Sequence, residues 1–222
     1  MPYIVKKNII SESVNQNEDG IQYGGNSVDV DDTILKPSQI YIYRNLPTDS
    51  SEVKLTPSDY AHEDVTEENK NYYDYRDFLD PIKIKRSISQ AEPIVSNLEI
   101  MDDLLSRGYQ LGILTARSSE DVVFKGLKDW LMYKNKEGEL IPIGDKLTRE
   151  NVYAINDSKR VKGLKGVTDY EKKAEVMESL LHVYNEILFI DDDIKNIKEM
   201  RKLKARLPKE LNSKLFIKHA LY

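Results

Sequence analysis

Three aspartates in the segment Ser27–Leu35 have residue types and a spacing that suit chemistry. Asp29, Asp31 and Asp32 fall within four positions, close behind a short apolar stretch. Carboxylates this close repel one another and raise each other's pKa, which is costly unless a cation or a proton-transfer task uses them. Side chains alternate along a strand, so Asp29 and Asp31 point the same way. The pair can therefore act as a nucleophile and its acid/base partner around a metal ion.

The simpler interpretation of the same segment is a solvated acidic loop or a calcium loop. An EF-hand calcium loop continues D-x-D-x-D-G and ends with a Glu. This segment instead becomes apolar at Ile34 and Leu35. The EF-hand is thereby disfavoured, whereas a solvated loop stays open on this segment alone.

Further polar clusters lie where other predicted elements begin or end. Thr115–Arg117 follows one apolar run, and Asp191–Asp193 follows another. Between them, Lys172 and Lys173 fall in the first turn of a predicted helix, where a cation opposes the helix dipole. A lysine in that place needs an anion or an acid cluster to face.

Hydrophobic periodicity predicts the elements that must position these clusters. We expect strands over Ser27–Val30, Tyr109–Leu114, Asn151–Ile155, Glu186–Ile190 and Lys214–Lys218, and helices from Pro93 to about Gly108, over Val122–Met132, after the capping box Thr168–Glu171 and over Ile194–Leu203. Strands alternating with helices predict an α/β fold with a parallel sheet covered on both faces. Sites in such doubly wound sheets form outside the carboxyl ends of the strands, where these clusters fall.

The remaining residues divide around this core. Residues 1–25 are polar and aperiodic, and we interpret them as an N-terminal arm. Residues 36–90 separate 26–35 from 91–222 and contain Gln39–Arg44 and Val53–Leu55, which predict a β-hairpin. We therefore expect a small cap-like insertion. Its tyrosines are interpreted as packing rather than as a base-stacking surface, because few Lys and Arg are interleaved with them.

Composition excludes several classes of protein. The chain has 222 residues, 40% of them hydrophobic, enough for one domain with an insertion or for two small domains. The net charge of −5 disfavours a general nucleic-acid binder. The absence of cysteine excludes disulfides, thiol catalysis and thiolate metal sites. Neither a signal peptide nor an apolar run of about 20 residues is seen, so we expect a cytoplasmic protein that does not bind membranes.

The four clusters, taken in order, resemble the signatures of the haloacid dehalogenase (HAD) superfamily of phosphotransferases. That superfamily carries D-x-D-x-[TV] after strand one, a Thr or Ser after strand two, a Lys at a helix start and an acidic pair after strand four. This chain has Asp29-Val30-Asp31-Asp32-Thr33, Leu114-Thr115, Lys172 or Lys173, and Asp191-Asp192 with Asn196 beyond. The match spans about residues 27–218. The runs Asp-Val-Asp-Asp-Thr-Ile-Leu and Leu-Thr-Ala-Arg also resemble small HAD-like hydrolases that phages encode.

The resemblance implies a Rossmann-like HAD core, a small cap between the first two motifs, and Mg²⁺-dependent hydrolysis of phosphomonoesters through an aspartyl-phosphate. Asp29 would be the nucleophile and Asp31 the acid/base. The implied site residues are Asp29, Asp31, Thr115, Lys173 and Lys172 as catalytic groups; Thr115, Ala116 and Arg117 as substrate contacts; Asp29, Asp31 (through its backbone carbonyl), Asp191 and Asp192 as Mg²⁺ ligands; and Thr33 and Asn196 as supporting residues.

Two of these assignments stay open on the sequence. Lys173 is preferred over Lys172, but adjacent helical residues face about 100° apart and the register is not fixed. Arg117 either binds a substrate phosphate or carboxylate, or pairs on the surface with Asp121 four residues later.

Two other kinds of protein could carry similar residues. Response-regulator receiver domains use similar residues but place the acidic pair first, so the order here favours the HAD interpretation. A non-catalytic HAD-like module, serving as a structural or assembly protein in a virion or larger complex, is the alternative. The expected partner is a small phosphorylated substrate or a phosphorylated nucleic-acid end. The N-terminal arm or the Tyr-rich insertion is the candidate surface for a protein partner. If a phage encodes the chain, we expect the protein in the host cytoplasm or in a virion.

Overall fold

The computed structural model describes residues 24–48, 51–66, 68–157 and 163–220. Most of the predicted N-terminal arm, residues 1–23, lies outside these ranges. The strands are β1 (Gly25–Val28), β2 (Leu35–Lys36), β3 (Ile42–Arg44), β4 (Val53–Leu55), β5 (Tyr73–Asp74), β6 (Glu92–Pro93), β7 (Gln110–Thr115), β8 (Tyr133–Lys134), β9 (Leu140–Ile141), β10 (Val152–Ala154), β11 (Ile187–Asp191) and β12 (Leu215–His219). The α-helices are α1 (Pro57–Ala61), α2 (Arg76–Leu79), α3 (Pro81–Ser89), α4 (Val95–Ser106), α5 (Glu120–Trp130), α6 (Asp169–Leu180), α7 (Ile194–Arg206) and α8 (Lys209–Asn212).

The fold is mixed α/β, built around a parallel sheet of five strands flanked by helices. The strands lie in the order β10-β7-β1-β11-β12, all parallel. Numbered along the chain, these strands are arranged 3-2-1-4-5, an order compatible with a Rossmann-like fold. The predicted α/β class and the parallel sheet are confirmed.

Strand β1 is the central strand, although its own residues are poor strand formers. It starts two residues earlier than predicted and pairs with β7 on one side and β11 on the other. Two glycines let aromatic rings approach: a Cβ on Gly24 would lie 2.5 Å from the Tyr109 ring, and one on Gly25 would lie 3.2 Å from the Tyr184 ring. Close packing between rings and backbone thus replaces the side chains that a central strand normally supplies.

The two faces of the sheet bury separate hydrophobic clusters, and adjacent residues of β7 belong to different ones. Ile113 packs with residues of α3, α4 and α5, whereas Leu114 packs with residues of α6 and α7. Alternation along a strand requires this division. The sheet is therefore covered on both sides, as expected.

One predicted helix start is wrong. Pro93 does not lie in the first turn of α4 but in β6, where it pairs with Leu35 of β2. The amide of Ile94 then donates to the carbonyl of Ile34 at 2.9 Å, and the helix begins only at Val95.

The capping box at Thr168 is confirmed, because its hydroxyl accepts from the Glu171 amide and the Glu171 carboxylate accepts from the Thr168 amide.

The insertion forms its own antiparallel sheet, β4-β3-β5. The predicted hairpin is confirmed, with Ile42 opposite Leu55; residues 49 and 50 of its turn lie outside the described ranges. The tyrosines pack together: the Tyr60 ring meets those of Tyr73 and Tyr75 edge to face, with centroids 5.4 and 5.6 Å apart.

The last helix of the predicted insertion 36–90, α3, packs with the main core. Ile84 and Ile88 of α3 are buried in the main core rather than against the β3–β5 sheet.

Across the described ranges, the helices are all too short or too polar to span a membrane.

Candidate active site

The predicted site residues converge where the strand order reverses. The chain continues from β1 to β7 on one side, while β11 lies on the other side of β1. Asp29 directly follows β1, and Asp191 is the last residue of β11. Their strands are parallel neighbours, so their carboxyl ends share one edge of the sheet. In open α/β sheets this switch point is where ligands bind.

A buried lysine joins the first and last motifs. The Lys173 Nζ lies 2.8 Å from Asp191 Oδ2 and 2.9 Å from Asp29 Oδ1, and its side chain is only 2% exposed. Lys172 faces elsewhere, donating to Asn156 Oδ1 at 2.7 Å. The helix register therefore brings Lys173, and not Lys172, to the acid cluster.

The acidic pair is held by Asn196, which was expected to brace it, and by Thr33, which was expected instead to orient the loop after Asp29. Asn196 donates from Nδ2 to Asp191 Oδ1 at 2.8 Å. Thr33 exchanges two hydrogen bonds with Asp192, donating its hydroxyl to Oδ1 at 3.0 Å and accepting the Asp192 amide at 3.1 Å. The Asp193 amide donates to Asp191 Oδ1 at 2.9 Å, while the Asp193 side chain caps α7 and accepts from the Lys195 amide.

Three carboxylates have the donor chemistry for a hard cation. Asp29, Asp191 and Asp192 each offer one carboxylate oxygen, and these three oxygens lie within 4.8 Å of one another. Asp29 Oδ1 is buried and, beyond its ion pair with Lys173, has no hydrogen-bond partner among the described residues. Mg²⁺ takes oxygen ligands in octahedral geometry, and carboxylates supply some of them. The donor set fits such an ion, which would give Asp29 Oδ1 a second partner beside Lys173.

Burial dominates the protonation chemistry of this cluster. Burial raises the pKa of Asp29 well above its ordinary value; Lys173 lowers it, while the carboxylates of Asp191, Asp31 and Asp192 raise it further. Burial and the Asp191 carboxylate raise the pKa of Asp192 to about 7, against the lowering effect of its Thr33 hydrogen bond. Burial alone would lower the pKa of Lys173, but Asp191 and Asp29 outweigh it and raise the pKa overall. Lys173 is therefore a permanent cation, and the carboxylates favour a further positive charge.

The Asp31 carboxylate is held by Arg117. Arg117 donates from Nε to Asp31 Oδ2 at 3.1 Å and from Nη2 to Asp31 Oδ1 at 2.5 Å. The Arg117 side chain is fully buried, and the substrate contact expected of it stays a prediction. The alternative surface pair with Asp121 is wrong, because Asp121 pairs with Arg149 at 2.6 Å. The role of the Asp31 carbonyl as a metal ligand stays a prediction.

Thr115 ends β7 beside these groups and is fully buried. Its Oγ1 accepts the Arg117 amide at 3.3 Å, which leaves the hydroxyl proton to donate. The carbonyl of Ala116 accepts from Asn156 Nδ2 at 2.7 Å. The loop after β7 is thus tied to the segment after β10.

The turn after Asp29 is sharp. Asp32 has a φ of 53°, and its amide donates to the Leu35 carbonyl at 2.9 Å. Aspartate is one of the few residues that adopt this left-handed conformation readily. The turn returns the chain so that Thr33 faces Asp192.

Sequence reasoning missed three residues around the site. His219 Nε2 donates to the Asp192 carbonyl at 2.7 Å, and Asn97 Nδ2 donates to the Thr33 carbonyl at 2.8 Å. Ser87 Oγ accepts from Arg117 Nη1 at 2.9 Å. Each comes from an element distant in sequence from the residue it contacts, so no local pattern could have indicated it.

The insertion contacts the core next to the acidic motif. Lys195, in the first turn of α7, donates from Nζ to the Glu63 carbonyl at 3.0 Å and lies 5.8 Å from the centre of the Tyr60 ring. The tyrosine cluster therefore lies beside the end of β11.

No protein-family model matches this chain, and no curated protein or solved structure does so either. The function of the chain is therefore inferred from the geometry of the site.

Proposed function

We propose that this chain is a Mg²⁺-dependent phosphomonoester hydrolase of the HAD type, with a Rossmann-like core and a small cap, and that it works through an aspartyl-phosphate on Asp29. The observation that carries the proposal is the position of Lys173, whose ammonium joins Asp29 and Asp191 at the switch point of the sheet. A buried cation between two carboxylates, beside a third, suits a site that binds a dianion and a divalent metal together.

In the first half-reaction a carboxylate oxygen of Asp29 bonds to phosphorus while the bond from phosphorus to the leaving oxygen breaks. Asp31, protonated at an oxygen lone pair that Arg117 does not occupy, gives its proton to that oxygen. Lys173 offsets the charge on Asp29 and on the phosphoryl group, and the Thr115 hydroxyl donates to a phosphoryl oxygen.

In the second half-reaction Asp31 takes a proton from water. The water oxygen bonds to phosphorus, and the bond from phosphorus to Asp29 breaks, which releases phosphate and the Asp29 carboxylate. A bound Mg²⁺, held by Asp29, Asp191 and Asp192, would supply further neutralisation of phosphoryl charge.

The decisive experiment is hydrolysis of p-nitrophenyl phosphate with Mg²⁺, with EDTA, and by the Asp29→Asn variant. We expect turnover that needs the metal and is lost in Asp29→Asn. Asp193→Asn is the matched control: it removes an acid from the same run, but Asn caps a helix as well as Asp does, so activity should persist. Turnover by Asp29→Asn at the wild-type rate would refute the nucleophile. No turnover together with no Mg²⁺ binding by calorimetry would favour the non-catalytic assembly module.

A further inference from the structure

Arg117 connects two parts of the molecule that the sequence places in different units. One edge of its guanidinium binds the Asp31 carboxylate through Nε and Nη2. The other edge binds α3: Nη1 donates to the Ile84 carbonyl at 3.2 Å and to Ser87 Oγ at 2.9 Å. Ser87 in turn donates its hydroxyl to the same Ile84 carbonyl at 2.9 Å.

The hydrogen bonds that link Asp31, Arg117 and Ser87 are shielded from water on the α3 side. Arg117 and Ser87 are both 0% exposed, and the Asp31 side chain is 12% exposed. A buried donor or acceptor that loses its partner is not re-solvated, so the arrangement resists rotation of either group. The planar guanidinium fixes both oxygens of the carboxylate, which a lysine would not do.

We infer that Arg117 and Ser87 are positioning residues for Asp31, and that α3 thereby fixes the geometry of the proton transfer to the leaving oxygen. The inference rests on the proposed function, because it assigns a role within that reaction. Arg117 acts through Asp31 and does not bind the substrate phosphate. Through Ser87 and the Ile84 carbonyl, α3 thus contacts the core next to the site as well as packing in the main core.

A comparison of two leaving groups separates this role from a merely structural one. p-Nitrophenolate leaves readily without a proton, whereas phenolate needs one, so only phenyl phosphate depends strongly on a placed acid. The ratio kcat/KM reports steps up to the departure of the leaving group, before water attacks. General acid–base groups contribute about 10²–10⁴-fold, so Arg117→Lys should lose at least about tenfold more kcat/KM with phenyl phosphate than with p-nitrophenyl phosphate.

Ser87→Ala is the milder variant, in case Arg117→Lys does not fold. It removes one of the contacts of Arg117 and should also lower kcat/KM more for phenyl phosphate than for p-nitrophenyl phosphate. Ser89→Ala is the matched control. The Ser89 hydroxyl likewise donates to a carbonyl three residues earlier, that of Arg86 at 3.1 Å, but lies near the surface. It should leave both substrates unchanged.

Three outcomes are distinguishable. A selective loss with phenyl phosphate in Arg117→Lys or Ser87→Ala supports the inference. An equal loss with both substrates, or a rise in KM alone, overturns it while the phosphatase stands, because that result is expected of a structural or phosphate-binding arginine. A wild-type protein that hydrolyses neither substrate and binds no Mg²⁺ by calorimetry overturns the proposed function and the inference with it.

Discussion

Lys173 Nζ lies 2.9 Å from Asp29 Oδ1, in a place that water barely reaches. The lysine comes from the first turn of α6, and the aspartate follows the first strand of the sheet. Burial raises the pKa of Asp29, and the nearby ammonium lowers it. The ion pair therefore favours the ionised carboxylate that a nucleophile or a metal ligand must be.

Replacing Lys173 by Met should destabilise the protein by about 3–5 kcal/mol in the absence of metal, because two buried carboxylates lose their cation. Lys172→Met is the matched control, one residue away in the same turn. The Lys172 side chain is 25% exposed, bonds to Asn156 and pairs with the half-exposed Asp169, so its loss should cost less than about 1 kcal/mol. Urea denaturation with EDTA measures both, and equal costs would contradict the assignment of Lys173.

Thr33→Val should weaken Mg²⁺ binding about 10–100-fold, since it removes both hydrogen bonds that orient Asp192. The volume of the side chain is nearly unchanged, so the effect reports the hydroxyl. Thr33→Ser retains that group and should bind Mg²⁺ nearly as well as the wild type. Calorimetric titration of the three proteins decides; unaltered affinity in Thr33→Val would show that Asp192 needs no such support.

The stability of the metal-free protein should depend on the pH through Asp192. Its folded pKa of about 7 lies above the ordinary 3.8, so between these values the folded state holds a proton that the unfolded chain has released. Folding stability from this group therefore falls as the pH rises from about 4 to about 7.

Asp192→Asn cannot titrate and should remove that dependence. With EDTA, the variant should gain at least about 1 kcal/mol relative to the wild type on going from pH 5 to pH 8. Asp103→Asn, at an exposed position of α4, is the control and should show no such change. With Mg²⁺ at pH 8 the wild type should instead be more stable than Asp192→Asn, because the ion stabilises the folded protein with Asp192 ionised. Parallel stability curves for wild type and variant would refute the prediction.

The sheet itself offers a paired test of packing. Phe189 of β11 is fully buried, and Phe216 on the neighbouring strand β12 is 46% exposed. Phe189→Ala should cost about 3–5 kcal/mol of unfolding free energy, because it leaves a cavity in the cluster under α6 and α7. Phe216→Ala should cost less than about 1 kcal/mol. Similar costs at both positions would mean that β11 is not the buried strand.

The sequence alone was enough to predict the α/β class, the parallel sheet and most of its elements. Alternating apolar runs and helical repeats are local signals, and the capping box at Thr168 is fixed by neighbouring residues. Pro93 was misplaced because its partner, Leu35, lies far back in the chain. The limits of β1 were predicted less well, because its burial depends on the rings of Tyr109 and Tyr184 rather than on its own side chains.

For the site, the sequence determined which acids follow the strands, since residue type and position along a strand are written in the chain. Only the tertiary structure decided which groups meet. It brought Lys173 rather than Lys172 to Asp29, and it gave Asp31 to the buried Arg117. Such contacts join elements that are distant in sequence, and the register of a helix or the burial of a side chain is set by packing across the whole fold. No local pattern carries that information.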